Sequence, residues 1–347
     1  MKNYSLPKEN VMSKVRLAMI GCGGNSSGHA HQLKRNPDVQ IIATCDVNKE
    51  IAQGYIDRNL PEVAPKPIAY DDIAKMLTDT KPDAVLISTP HTLHFEQGMM
   101  ALDAGCHVYM EKPMVTSSDD AYKLAEKVKQ VGKVFVIGYN TSCSANFYYL
   151  REQIRNKELG KLELVIGYIT QDWLRLTMGA WRQEPKLSGG GQAYDSGAHL
   201  LNSLCWSVEQ PVAEVFAFID NCGTKVDINS SINVRFENGV MASIVVSGNC
   251  PSPGGSHMAF IFDGGRVEID GWGGGWIRVF KGDKSIENPP ITPEMSAGPA
   301  DYNFIDAILG RAKPRTNVMN GIIHSELMDA IYESAKTGMP AKPKKRT

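Results

Sequence analysis

The sequence lacks any run approaching the ~20 consecutive apolar residues that a membrane-spanning helix requires. Residues 1–14 are polar and lack the apolar core of a secretory signal. We therefore expect a protein that neither crosses a membrane nor is exported. Residues 1–13 are interpreted as a flexible extension ahead of the first strand.

Cysteine pairs and surplus charge are also missing. The seven cysteines are odd in number and dispersed, with no C-x-x-C pair, which argues against a disulfide framework or a zinc knuckle. A reducing cytoplasmic location fits this pattern best.

The formal net charge of −1 gives no basic surplus to attract nucleic acid or an anionic membrane, and we interpret the basic run at residues 342–346 as a solvated tail.

The first half of the chain alternates short apolar runs with helical patterns. Strands are predicted at residues 15–20, 40–45, 84–88, 107–110 and 134–138, and helices at residues 29–36, from about 71, 92–104 and 117–131. This alternation predicts a doubly wound parallel sheet of the Rossmann type. Because 347 residues exceed the usual single core, we predict a dinucleotide-binding domain at 1–140 and a second domain at 141–347.

A glycine-rich turn follows the first strand. In doubly wound sheets such a turn lets backbone amides and the next helix N-terminus face a phosphate. The residues placed to do this are Gly21, Gly23, Gly24, Asn25 and Ser26. The turn departs from strict G-x-G-x-x-G, because Ser26 takes the third glycine position and Gly28 comes two residues late. A glycine-rich turn without a ligand is the alternative.

Asp46 ends the second predicted strand, where an acidic side chain would accept hydrogen bonds from an adenosine ribose. A carboxylate there repels a 2′-phosphate, and neither Val47 nor Asn48 supplies a compensating cation. This favours NAD over NADP. A simple turn residue at the strand end is the alternative for Asp46.

The strand at 84–88 leads into a segment that we place at the cofactor, formed by Thr89, Pro90, His91 and His94. The His-x-x-His spacing suggests a metal, but no carboxylate or thiol cluster accompanies it, and zinc sites need three or four protein ligands. No metal is predicted. A hydrogen-bonded structural histidine is the alternative for His94.

From about residue 141 the pattern changes. A helix at 148–157 precedes β-rich segments at residues 162–170, 213–219, 231–236 and 240–247, with loops at 248–255 and 271–275. The second domain is therefore expected to be built on a sheet.

Several motifs occur together in a fixed order. They are Gly21-Cys22-Gly23-Gly24, Thr89-Pro90 with His94, Glu111-Lys112-Pro113, Gly138-Tyr139-Asn140, and Gly189-Gly190-Gly191 followed by Asp195 and His199. Together they resemble the Gfo/Idh/MocA oxidoreductases over nearly the whole chain. The resemblance implies a nicotinamide-dependent dehydrogenase or reductase of sugars, polyols or their derivatives. It also implies a C-terminal α/β domain with an open, mostly antiparallel sheet, and a homodimer or homotetramer.

The resemblance marks Lys112, Asp195 and His199 as the catalytic positions. Asp195, His199 and Asn202 are spaced i, i+4, i+7, which places them on one face of a helix. We predict His199 as the general acid/base because its ordinary pKa of ~6.5 lies near working pH. Lys112 would stabilise a developing alkoxide or relay the proton itself, while Asp195 would orient the substrate or His199. A helix-capping Asp195 and a packed His199 are the alternatives.

Aromatic and polar side chains suit a carbohydrate, whose C–H faces stack on rings and whose hydroxyls need polar partners. The residues predicted to bind substrate, besides the three catalytic ones, are Tyr139, Trp173, Arg175, Trp181 and Arg182. Glu111, Lys112 and Asn140 are predicted to contact the cofactor. Scaffold or dimer-contact roles are the alternatives for the substrate-binding set.

Three functional classes are compatible with these motifs. The leading hypothesis is an NAD-dependent oxidoreductase acting on a hydroxyl or carbonyl carbon of a sugar or polyol. The second is a glycoside hydrolase or lyase that uses NAD for transient oxidation with no net redox change. The third, a non-catalytic nucleotide-binding regulator, is disfavoured because lysine, aspartate and histidine are all retained.

Overall fold

The computed structural model describes residues 14–286 and 289–344, which form two β-sheets with helices packed on them. The predicted extension at 1–13 and the end of the basic tail lie outside the described residues. Within these ranges, none of the helices combines the length and apolarity needed to cross a membrane.

The elements follow in chain order. The strands are β1 (Val15–Ile20), β2 (Val39–Cys45), β3 (Ile68–Tyr70), β4 (Ala84–Ile87), β5 (His107–Met110), β6 (Phe135–Ile137), β7 (Leu162–Thr170), β8 (Val212–Asp220), β9 (Asn229–Phe236), β10 (Met241–Ser247), β11 (Gly255–Phe262), β12 (Gly265–Ile269), β13 (Ile277–Lys281) and β14 (Lys284–Ile286). The α-helices are α1 (Gly24–Leu33), α2 (Lys49–Asn59), α3 (Ile73–Thr80), α4 (His94–Asp103), α5 (Ser118–Val131), α6 (Ala145–Asn156), α7 (Trp173–Leu176), α8 (Pro185–Ser188), α9 (Gly197–Val208), α10 (Ala300–Ile308) and α11 (Val318–Thr337).

The first sheet has six parallel strands in the order β3-β2-β1-β4-β5-β6. The chain runs outward from β1 through β2 to β3, then returns to the other side of β1 with β4. That reversal opens a crevice beyond the carboxyl ends of β1 and β4, where doubly wound sheets bind ligands. The predicted doubly wound sheet is confirmed.

The second sheet has eight strands in the order β14-β13-β12-β11-β7-β10-β9-β8. Only the β7–β10 pair is parallel, and the other pairs are antiparallel. One face of this sheet is apolar and buried against α6, α9 and α11. The predicted mostly antiparallel sheet is therefore confirmed.

Several element boundaries differ from the predictions. The helix expected at 29–36 begins instead at Gly24, inside the glycine-rich turn, and α2 and β3 were not predicted. A signal for α2 was present, since the Asn48 side chain caps the helix by accepting a hydrogen bond from the Glu50 amide at 2.8 Å. The predicted start and stop of α5 are confirmed: the Ser117 side chain caps it and Gly132 follows it at a φ of 64°.

Helix α9 differs from the predicted polar stripe. All of its residues are buried, because it packs between the second sheet and helices α6 and α11. Asp195 lies two residues before the helix, and the capping position belongs to Ser196. The helix-capping alternative for Asp195 is therefore wrong.

The C-terminal segment connects the two sheets. Phe304 and Ile305 of α10 belong to the hydrophobic core on one face of the first sheet, and the Phe304 ring lies 5.8 Å from the Tyr109 ring. Helix α11 packs against both α5 and β8. Residues distant in sequence thus complete the core of the predicted dinucleotide-binding domain.

Candidate active site

A cleft of about 770 Å³ lies at the carboxyl ends of the first sheet. The predicted cofactor-binding residues that line it are Gly21, Gly23, Gly24, Asn25, Asp46, Thr89, Pro90, His91, Glu111 and Lys112. Asp71 and Asp72, which follow the unpredicted strand β3, line it as well. The cleft therefore joins several strand ends that are far apart in sequence.

The glycine-rich turn has the shape that a dinucleotide needs. Gly21 has a φ of 92°, and a Cβ there would overlap the carbonyl oxygen of Ser88. A Cβ on Gly23 or Gly24 would meet only open space, so the backbone there is accessible from the cleft. Because α1 begins at Gly24, its free amide groups can face a phosphate. These residues fit a bound pyrophosphate.

Asp46 stands at the end of β2 and is half-buried. Its Oδ2 accepts a hydrogen bond from the Cys22 amide at 2.9 Å, which ties the strand end to the glycine-rich turn. The neighbouring Val47 is exposed. Asp46 therefore lines the cleft as an acidic group, as its predicted role in ribose binding requires.

Three residues predicted at the cofactor lie away from the cleft. The Ser26 hydroxyl is buried 2.9 Å from the Tyr55 hydroxyl. The His94 ring nitrogens lie 2.8 Å from the Pro113 carbonyl oxygen and 3.0 Å from the Thr89 carbonyl oxygen, which agrees with the structural alternative for this histidine. Asn140 lines a separate polar depression.

Metal binding finds no support at the two histidines. Among residues 14–286 and 289–344 no group of three or more His, Cys, Asp or Glu side chains is arranged to hold a metal ion. His91 contacts the Ser188 carbonyl oxygen through Nδ1 at 3.0 Å, and its ring packs edge-on against Trp181 at 4.9 Å. His91 is therefore part of the cleft wall, where it packs against Trp181.

Asp195 is the centre of a buried cluster. Lys112 Nζ donates to Asp195 Oδ1 at 2.7 Å and to the Asp195 carbonyl oxygen at 3.1 Å. On the other carboxylate oxygen, Trp173 Nε1 donates at 2.8 Å and Arg182 Nε at 2.9 Å. Burial alone would raise the pKa of Asp195, but the charge of Lys112, with His91 and Arg182, holds it well below its usual range.

His199 lies in α9 beside this cluster. Its ring packs 4.4 Å from Trp272 and 6.3 Å from Tyr139, and no described residue hydrogen-bonds its Nδ1. Burial, followed by the charge of Lys112, lowers the pKa of His199 to about 3. The prediction for this residue assumed an ordinary pKa; the lowered pKa instead leaves the imidazole neutral and weakly basic at pH 7. His199 lines neither the cofactor cleft nor the pocket beside Asp195.

A second cavity of about 450 Å³ opens on the other side of Asp195 and is lined by Trp173 and Arg182. Arg182 also lines the cofactor cleft, so the two spaces adjoin at this residue, and Lys112 of the cleft is paired with Asp195 of the second cavity. The other predicted substrate residues lie elsewhere. Trp181 faces the cofactor cleft, and Arg175 pairs with Asp172 at 2.5 Å in an exposed position.

Tyr139 is fully buried behind the site. No hydrogen bond to its hydroxyl is found among the described residues. Its ring lies 5.8 Å from that of His324 on α11, a buried histidine that no sequence motif marked. Tyr139 therefore packs behind His199 rather than lining either cavity.

Sequence reasoning also missed a buried bridge behind Lys112. His29 Nδ1 donates to Asp301 Oδ1 at 2.7 Å, and its Nε2 donates to Glu111 Oε1 at 2.9 Å. Burial opposes the charge on His29, but Asp301 and then Glu111 outweigh it and raise the pKa of His29 to about 10. Asp301 and Glu111 lie 272 and 82 positions from His29 in the sequence, so no local sequence pattern indicates the bridge.

The bridge predicts a pH-dependent stability. The folded-state pKa of His29 is raised from 6.5 to about 10, so its contribution is fully present below about pH 6.5, declines above it, and is lost by about pH 10. We expect His29→Gln to lower the free energy of unfolding most at pH 6 and least near pH 10. Urea unfolding across this range measures the difference between variant and wild type.

The matched control is His31→Gln, which changes an exposed histidine in the same helix. It should leave the pH dependence of unfolding unaltered. If the gap between wild type and His29→Gln stays constant from pH 6 to about 10, the bridge is not the charged pair described here.

The six-stranded parallel sheet with a cleft at its carboxyl ends, followed by the eight-stranded mixed sheet, defines a Rossmann-type α/β protein. Residues 15–139 match the oxidoreductase family described as GFO/IDH/MocA with an NAD-binding Rossmann fold, and residues 147–275 match that family's C-terminal domain. The chain belongs to the GFO/IDH/MocA family.

Individual proteins show the same relationship. A D-glucoside 3-dehydrogenase of Escherichia coli is 29% identical over 205 residues, covering 58% of this chain and 56% of that protein. An inositol 2-dehydrogenase of Rubrobacter xylanophilus is 23% identical over 95% of this chain and 93% of its own length. The chain thus spans about half the length of the first relative and nearly all of the second.

Among solved structures, the WlbA dehydrogenase of Chromobacterium violaceum, determined with NADH and UDP-GlcNAcA, superposes with a TM-score of 0.85. The match covers 97% of this chain and 98% of that one at 21% identity. At this identity the likeness shows the shared fold.

Proposed function

We propose that this protein is an NAD-dependent oxidoreductase that transfers hydride between the nicotinamide and a hydroxyl or carbonyl carbon of a sugar, polyol or sugar derivative. One observation carries the proposal: Lys112 lines the cofactor cleft while its ammonium group is paired at 2.7 Å with Asp195, which lines the second cavity. A substrate in that cavity would meet the cofactor at this pair.

The relatives support the substrate class. The two curated relatives are named as dehydrogenases of a glucoside and of inositol, and the solved neighbour is a complex with NADH and UDP-GlcNAcA. The lining of the second cavity agrees, since Gln171, Ser252 and Trp173 offer hydrogen-bonding groups and one aromatic ring.

The proposed roles of Lys112, Asp195 and His199 follow from the charge that each side chain carries. Bound nicotinamide accepts or donates the hydride, and the protein handles the proton. We propose that the Lys112 ammonium donates a hydrogen bond to the reacting oxygen and stabilises alkoxide character. Asp195, which stays ionised, holds that ammonium in place. We propose His199 as the group that receives the proton when an alcohol is oxidised; its pKa of about 3 leaves it unprotonated but weakly basic, so substrate binding would have to raise that pKa toward the working pH.

Two substitutions test this division. His199→Ala should lower kcat by roughly 10²-fold while NAD binding, followed by fluorescence titration, stays near the wild-type value.

Lys112→Ala should also lower kcat, since it removes the charge that stabilises the alkoxide. His31→Ala, at an exposed position, is the control.

Unchanged turnover in His199→Ala would remove this residue from the proton path. A loss of kcat/KM near pH 6.5 that disappears in the same variant would contradict a neutral buried histidine. An effect of Lys112→Ala confined to KM would reduce the lysine to a binding group.

We also infer a preference for NAD over NADP. Asp46, Asp71 and Asp72 all line the cleft, and their carboxylates disfavour a 2′-phosphate. A panel of sugars and polyols, assayed for reduced nicotinamide with both cofactors, tests substrate class and preference together. Equal or better use of NADP would overturn the preference.

Release of a leaving group from glycosides without net NADH would identify a hydrolase or lyase instead.

A second copy of this chain is the proposed partner. The outer face of the eight-stranded sheet exposes Ile166, Tyr168, Met241 and Val245, which the strand register places on one side. A contiguous apolar face of this kind favours association. Light scattering of the purified protein should give the mass of a dimer or tetramer, and a monomer at all concentrations would contradict it.

A further inference from the structure

Asp227 is a buried carboxylate that lies just before β9 and was not marked by any motif. Its Oδ1 accepts hydrogen bonds from the Gly191 amide at 2.6 Å and from the Tyr332 hydroxyl at 2.5 Å. Its Oδ2 accepts from the Ala193 amide at 2.7 Å. Its carbonyl oxygen accepts from the Gln192 amide at 2.8 Å. One residue therefore holds three successive amides.

The glycine run is shaped to fit this carboxylate. A Cβ on Gly191 would overlap the backbone of Asp227, and a Cβ on Gly190 would overlap the hydroxyl of Tyr332. These glycines are therefore required by the close approach of the turn to Asp227 and Tyr332. Neither glycine lines the cofactor cleft or the cavity beside it.

The held turn leads directly to the catalytic centre. The Asp195 amide donates to the Gly191 carbonyl oxygen at 2.9 Å, and the Gly197 amide donates to the Gln192 carbonyl oxygen at 2.8 Å. The backbone anchored by Asp227 is thus the same backbone that orients Asp195. The Asp195 carboxylate in turn fixes the Lys112 ammonium.

We infer that Asp227 is a positioning residue for the reaction, acting through the backbone of residues 191–193 on Asp195 and through Asp195 on Lys112. This inference rests on the proposed function of that pair. Asp227 lines neither the cofactor cleft nor the adjoining cavity, and both of its carboxylate oxygens are occupied by the amides of the glycine run and by Tyr332, so we assign it no direct contact with substrate or cofactor. Its carboxylate is required because both oxygens accept from N–H groups, and an amide would present a donor to one of them.

Asp227→Asn tests the inference with little change in side-chain volume. We expect kcat to fall by roughly 10-fold or more because the catalytic pair is displaced, while the KM for NAD stays near the wild-type value. Tyr332→Phe should cause a smaller fall, because both amides still reach Asp227. The matched control is Asp220→Asn, since the side chain of exposed Asp220, at the end of β8, accepts from the nearby Cys222 amide and thiol.

A double-mutant cycle separates positioning from general support of the fold. If Asp227 acts through Asp195, then Asp227→Asn should lower kcat little further in an Asp195→Asn background. Fully additive losses of kcat would overturn the inference, as would a wild-type kcat in Asp227→Asn. If Asp227→Asn does not fold, Tyr332→Phe decides, and an unchanged kcat there overturns the inference.

Failure of the proposed function gives a different result. If the wild-type enzyme turns over none of the sugars and polyols with either cofactor, the proposed function fails. The inferred geometry is then tested by the rate at which an amine-reactive reagent labels Lys112 in the folded full-length protein. The labelled protein is digested, and mass spectrometry of the peptides measures the labelling of Lys112. Asp227→Asn and Asp195→Asn should both raise that rate, and an unchanged rate in Asp227→Asn overturns the inference.

Discussion

The site depends on one ion pair, formed by Lys112 and Asp195 at 2.7 Å. The lysine follows β5 of the first sheet, while the aspartate precedes α9 against the second. Both side chains are largely buried, so removing Asp195 would leave the Lys112 ammonium without its paired carboxylate in a poorly solvated place. The pair therefore links a residue of the cofactor cleft to a residue of the second cavity.

The same pair explains the state of the neighbouring groups. The Lys112 charge adds to burial in keeping His199 neutral, and it keeps Asp195 ionised despite burial. Behind the lysine, Glu111 is held by His29, which overcomes the effect of burial and lowers the pKa of Glu111. The Lys112 charge thus acts on groups on both sides of it, and in the proposed reaction this leaves the lysine as the hydrogen-bond donor.

Local patterns in the sequence predicted much of the fold and part of the site. Gly21, Asp46 and Lys112 each follow a short apolar strand, and parallel strands place their carboxyl ends at one edge. Partners far apart in sequence were not predictable, because nothing local connects His29 to Asp301 or Asp227 to Gly191. The protonation state of His199 was also beyond sequence, since it depends on how Trp272 and α9 enclose the ring.

The two buried aspartates near the glycine run differ in what satisfies them. Asp195 is bound by side chains that carry positive charge or an indole N–H, whereas Asp227 is bound by two backbone amides and one hydroxyl. Mobile cationic partners can also reach a substrate, but amides of a tight turn cannot leave it. The proposed chemistry therefore falls to Asp195 and its partners, and the inferred role of Asp227 is to keep the same turn rigid from its opposite side.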